Sequence, residues 1–194
     1  MKLVKTILTE NPCFEEGRKI TVKGVMLHSV GCPQPQAAAF INSWNNPAAA
    51  ICVHGFIDAN DGTVYQTLPW NYRAWHAGIG VNGSANNTHI GVEMCEPKTI
   101  TYTDGVFFSC HDISGAQECA KRTYEAAVEL FAELCKEFNL NPEEDGVIIS
   151  HSEGHARGIA SDHKDPEHLW KGLGLSCTMD SFRNDVAKHL RNMQ

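Results

Sequence analysis

The 194-residue chain contains no apolar run that approaches the roughly 20 residues needed to cross a bilayer, so membrane insertion is not expected. Its first residues, MKLVKTILTENP, include two lysines but neither an apolar central region nor a small-residue cleavage site, so no secretory signal is read there. Basic residues are in deficit, with 16 Lys and Arg against 23 Asp and Glu, a formal net charge of −7. That balance excludes general nucleic-acid binding, which relies on cations against phosphates, and excludes adhesion to an anionic wall by charge alone. The chain also lacks any CxxC pair, which argues against a cysteine zinc knuckle. Its eight cysteines could pair in an exported protein. With no export signal, and with Cys52, Cys95 and Cys135 in apolar runs, reduced thiols acting as small hydrophobes are expected. Repeats, linkers and low-complexity stretches are missing, so residues 1–194 read as one domain.

What is present is a mixture of strand and helix signals. Residues 20–30 (ITVKGVMLHSV) are rich in β-branched residues and read as a strand that ends at the Gly31–Pro33 turn. A short helix is expected over 34–45, and an apolar strand over 49–57. Asn60-Asp61-Gly62 marks a hairpin that returns through 63–68. Residues 89–95 (HIGVEMC) form a continuous apolar run suited to a buried central strand, and 146–150 (GVIIS) a shorter one. Apolar residues at helical spacing predict long helices over 114–138 and 179–193. The expected fold class is α/β, a central mixed sheet flanked by helices.

Ten histidines are present, and two sit where chemistry concentrates. His28 ends the first apolar strand, and His151 follows the last one directly, so both face the rim of an open sheet. Asp165 lies fourteen residues further on, in a polar segment. Two imidazoles and a carboxylate would leave one position open on a zinc ion, as catalytic rather than structural zinc sites do. Spacing alone does not join them, because His28 and His151 are 123 residues apart.

Five stretches, in order, make the connection: GVMLHSVG (24–31), VHGFIDANDGTVYQ (53–66), AWHAG (74–78), HIGVEMCEP (89–97) and ISHSEGHARGIASDHKDPEHLW (149–170). Together the chain resembles the type-2 N-acetylmuramoyl-L-alanine amidases, which include phage endolysins and peptidoglycan-recognition proteins. The last stretch is most similar to endolysins of Gram-positive phages and prophages. The resemblance implies a zinc site at the sheet rim made by His28, His151 and Asp165. It also implies that Glu93 acts on the attacking water and that bacterial peptidoglycan is the substrate. In an otherwise apolar run, an unpaired Glu93 without such a role would be costly. Many members carry a lysine two residues before the third ligand. Here that position is His163, the candidate oxyanion donor, with Lys164 beside it as the alternative. The tyrosine that some members carry before the second-strand histidine is Val53 here.

Other readings follow in the same terms. His76 is expected to line the substrate groove and donate to a peptide or lactyl oxygen. Trp75, with Trp70 and Tyr72, is weighed equally as a sugar-stacking surface and as packing. His54 reads as structural or as a partner of a ligand, and His155 and His168 as alternative ligands. His151 and His155 have zincin-like i,i+4 spacing, but HSEGH is not HExxH and Gly154 weakens a helix there. The expected protein is a monomer made in a host cytoplasm and acting on the wall after release, as one part of a longer lysin or alone. The competing expectations are a non-catalytic peptidoglycan-binding module and a zinc peptidase cutting within the stem peptide.

Overall fold

A computed structural model describes residues 1–193; Gln194 lies outside the described residues. Eight strands and six helices occur in the order β1 (Leu3–Lys5), α1 (Pro12–Glu16), β2 (Gly24–Ser29), α2 (Ala37–Trp44), β3 (Gly55–Ile57), β4 (Val64–Gln66), β5 (His89–Met94), β6 (Ile100–Asp104), β7 (Phe107–Cys110), α3 (Ile113–Glu137), β8 (Ile148–Ser150), α4 (His151–Ala156), α5 (Glu167–Gly172) and α6 (Met179–Asn192). Six strands form one mixed sheet in the order β1-β4-β3-β5-β2-β8, and β6 and β7 form a separate hairpin. The fold is thus the α/β architecture expected, with β3, β5, β2 and β8 parallel and β4 antiparallel to β3.

The continuous apolar runs have a simple cause. All six residues of β2 are buried, because parallel strands in the middle of a sheet are covered on both faces. Alternation sorts their side chains. Val25 and Leu27 of β2, Ile90, Val92 and Met94 of β5, and Ile148 of β8 face α3 and α6, where Phe131, Trp170 and Phe182 complete the main core. Each such fully buried large side chain contributes about 1.5–3 kcal/mol. Met26 and Ile149 face the opposite side, against Ala77, Ala85 and Ala160.

The differences from expectation lie mostly at element ends. β2 begins at Gly24 rather than Ile20, because its partner β5 begins at His89, register-paired with Gly24. The run over 49–57 is a strand only at Gly55–Ile57. Before that, Cys52 makes an isolated bridge to Trp75, and its apolar character serves a small core with Cys13, Leu68 and Ala74. The hairpin at Asn60–Gly62 joins β3 and β4, with Gly62 at φ +73°. All eight cysteines are free thiols. Among the described residues no helix is long and apolar enough to cross a membrane.

One local expectation is corrected. Residues 151–156 do form a helix despite Gly154, because Ser150 and Glu153 make a reciprocal capping box at its start. Glycine is required there by packing: a Cβ at 154 would stand 2.6 Å from the Met26 side chain beneath it.

Candidate metal centre

Strand parity builds the site. His28 shares the Met26 face of β2, and in register beside it on β5 stands Glu93. On β8 the same parity runs from Ile149 to His151, the first residue of α4. Asp165 arrives from the loop between α4 and α5. That loop is pinned where the Ser152 N–H donates to the Asp165 carbonyl and the Ser29 N–H donates to Asp165 Oδ2, each at 3.4 Å. The sheet's carboxyl-terminal rim therefore gathers residues from three separate elements, as open α/β sheets do at their strand ends.

The donor atoms converge. His28 Nδ1 lies 3.2 Å from Asp165 Oδ2 and 3.1 Å from His151 Nδ1, and His151 Nδ1 lies 3.7 Å from Asp165 Oδ1. One ligand atom from each lies within 4.8 Å of the others, and all three residues are buried. The hydrogen bonds on the far side of each ring assign the tautomers. His76 Nε2–H donates to the His89 carbonyl at 3.1 Å, so His76 Nδ1 accepts from His28 Nε2–H at 2.9 Å. His151 Nε2 is 3.3 Å from the Ser161 hydroxyl, which accepts its N–H. Both Nδ1 lone pairs then point at each other and at a carboxylate, with no proton between them. Three acceptors in such contact fit a shared cation, held by imidazoles whose outer N–H groups are fixed by a partner.

The electrostatics agree. Burial by itself would lower His28, but its Asp165 hydrogen bond and the charges of Glu93 and Asp165 raise it, a net pull for positive charge at this spot. Burial and the charge of His28 push His151 down to about 3, which keeps it neutral. Asp165 is held below its ordinary value: burial would raise it, but the hydrogen bond and charge of His28 outweigh that. Burial pushes Glu93 up to about 8, against the opposing pull of His28. Its Oε2 is buried without a hydrogen-bond partner, a cost usually tolerated for function.

The cleft beside these groups has a volume of about 500 Å³ and is also lined by His163, Lys164 and Tyr102. His163 is exposed, its ring 4.5 Å from that of His151 and its Nδ1 3.1 Å from Ser161 Oγ. Lys164 is exposed and donates to Asp162 at 2.5 Å. His76 stands differently from expectation. It forms part of the cleft floor, but both ring nitrogens are bonded within the protein, so it orients His28 and has no N–H left for a substrate oxygen. Trp75 packs against the Cys13–Cys52 cluster and does not line the cleft. His54 is structural: it accepts from the Gly91 N–H and donates to the Tyr72 carbonyl. His155 turns to the Ala160 carbonyl and His168 to the Tyr102 hydroxyl, so neither joins the donor group. Ser161 and Tyr102 carry no signal in the sequence, because a serine or tyrosine in a loop or edge strand has no distinguishing pattern.

Two consequences can be measured. A Cβ on Gly91 would lie 2.4 Å from the His76 ring, so Gly91→Ala is expected to displace His76 and with it His28. The expected loss is about 1–3 kcal/mol of stability together with weakened metal affinity, read by denaturant melts and metal titration. The second concerns pH. Burial lowers His54 from 6.5 to about 4, and His76 is lowered as well. The unfolded chain therefore takes up protons before the folded one, so stability is complete above pH 6.5 and declines as pH falls toward 4. At about 1.4 kcal/mol per unit, His54 alone accounts for roughly 3 kcal/mol. Melting temperature followed from pH 7 to 4 should fall steeply, and His54→Gln should flatten the decline even if it starts lower.

The fold and the donor set together define an α/β domain with a candidate mononuclear metal centre at its sheet rim. The family profile described as N-acetylmuramoyl-L-alanine amidase matches residues 17–168, and the chain belongs to that family. Among curated relatives, the amidase XlyA of Bacillus subtilis is 42% identical over 77 residues, covering 40% of this chain and 24% of that protein. The amidase CwlL of Bacillus licheniformis is 28% identical over 154 residues, 73% of this chain and 38% of the relative. The chain thus spans from about a quarter to somewhat over a third of the length of these two relatives. The solved catalytic domain of XlyA shares the fold, with a TM-score of 0.65 at 22% identity over 96% of this chain and 99% of that one.

Proposed function

We propose that this protein is a zinc-dependent N-acetylmuramoyl-L-alanine amidase of endolysin type, hydrolysing the amide between the muramic acid lactyl group and L-alanine in peptidoglycan. The observation that carries the reading is the convergence of His28 Nδ1, His151 Nδ1 and an Asp165 oxygen beside a cleft that also holds an unpartnered carboxylate. His28, His151 and Asp165 would hold the ion. When bound, it supplies Lewis acidity toward water and toward an amide carbonyl.

The chain's own groups do the rest. Glu93, next to His28 on the neighbouring strand, takes the proton of the attacking water and passes it to the departing alanine amine. Its raised affinity for protons suits that exchange, and a nearby cation would draw it down toward the working range. His163 donates to the oxyanion that develops on the lactyl carbonyl, and Lys164 is the alternative donor at the same rim. His76 and Ser161 hold the two ligand imidazoles in their tautomers. The presence of both Glu93 and the third donor, Asp165, favours catalysis over mere binding.

Purified protein incubated with cell walls tests this. New N-terminal alanine should appear, vanish after chelation and return with zinc. Clearing that survives chelation, or new amines other than alanine, would overturn the reading.

A further inference from the structure

The candidate cleft is the middle of a longer groove. On one side it continues, through the shared residues Val106, Lys164 and His168, into a hollow of about 500 Å³ between the β6–β7 hairpin and α5. On the other it continues, through Ser161 and Asp162, into a hollow of about 520 Å³ beneath Ile79 and Val81. The two arms differ in chemistry. The hairpin arm presents Phe107, 71% exposed, and the exposed Lys171, which makes no ion pair among the described residues. Its acid, Glu167, is turned inward, accepting from the Ser150 hydroxyl with its other oxygen buried. The opposite arm offers apolar Ile79 (79% exposed) and Val81 (95% exposed) with Gly158 and Ala160, and no lysine or arginine.

The hairpin is anchored as a fixed wall. Tyr102 donates to buried Glu96 at 2.7 Å and accepts from His168 Nε2–H at 2.8 Å. Phe108 occupies the space over Gly172, where a Cβ would come within 2.4 Å of its ring. Phe107, next along the strand, faces away, so its exposure is not explained by packing within the chain.

The chemistry of the substrate, on the amidase reading on which this inference rests, gives the groove a direction. At the bond to be cut, the lactyl carboxyl is consumed in the amide, so the sugar side is uncharged, while the free carboxylates lie on the peptide side. We propose that the hairpin arm, through Lys171 and Phe107, takes the carboxylate-bearing peptide stem, and that the arm under Ile79 and Val81 takes the uncharged glycan. A lysine at the rim of a partly desolvated arm favours carboxylate, and exposed apolar surface favours the C–H faces of sugar rings.

Steady-state kinetics on soluble muramoyl-peptides, with the stem carboxylates either free or amidated, test this. Lys171→Glu should raise KM about tenfold on the free-carboxylate substrate, leave kcat unchanged and barely affect the amidated one. Phe107→Ala should raise KM on both. Val81→Ser should matter only when the substrate carries additional sugars. An unchanged KM for Lys171→Glu, or equal losses on both stems, overturns the assignment. Calorimetric binding of the same fragments gives an independent reading. If the wild type binds them with the Lys171 dependence but cuts none, the amidase reading fails and the polarity of the groove stands. If it cuts them without that dependence, the reverse holds.

Discussion

Asp165→Asn is expected to weaken metal affinity by more than a hundredfold and to remove wall-clearing activity at trace metal. The substitution keeps the shape of the side chain and deletes its charge. On the proposed ligand set, two neutral imidazole nitrogens 3.1 Å apart would then have to hold a dication without a counter-charge. Losing an outer hydrogen-bond partner of a metal ligand costs about 10–100-fold in affinity, so losing a charged ligand should exceed that. Zinc content after dialysis and the rate at limiting metal are the two measurements. Retention of stoichiometric zinc by Asp165→Asn would remove Asp165 from the ligand set. The variant should still fold, because the core against α3 and α6 contains none of the three donors.

Glu93→Gln should give the opposite signature: zinc retained, substrate bound, and kcat lowered by about 10²–10⁴. Glutamine fits the same space between the His28 strand and the cleft but cannot take a proton. It also fills the site without a buried charge, so the variant should be at least as stable as the wild type, given that burial disfavours the carboxylate there. A melt at or above the wild-type temperature combined with loss of turnover separates a chemical role from a structural one. Full activity would remove Glu93 from the mechanism, and loss of zinc would recast it as a ligand. Because the effects of groups that act together do not add, the double variant with Asp165→Asn should be hardly less active than the worse single one.

Much of this was readable before any coordinates. The buried parallel strands, the hairpin at Asn60–Gly62 and the two long helices follow from local pattern, because a strand covered on both faces must be apolar throughout and a long helix on a core must repeat every 3.6 residues. The hairpin of β6 and β7 was missed for the converse reason. It is a half-exposed two-stranded element, with mixed residues in ITYTD and no apolar run. The six-residue helices α4 and α5 are too short for a period to appear, and Gly154 disguised the first by serving its packing against Met26.

The division for the site falls in the same place. By itself, the sequence determined the kinds of group available and their strand-end positions: His28 and His151 directly at the ends of apolar runs, and Glu93 within one, where a charge has a cost. Only the tertiary structure decided which of ten histidines share a cation. Donor geometry depends on register and side-chain parity between strands far apart in the chain, here β2, β5 and β8, and on a loop pinned by its backbone hydrogen bonds. The same long-range packing turned His76 from an expected groove donor into the group that orients His28, and gave the cleft two arms of different charge. Local pattern reports the burial of each residue; which residues meet is set by how the buried faces close on one another.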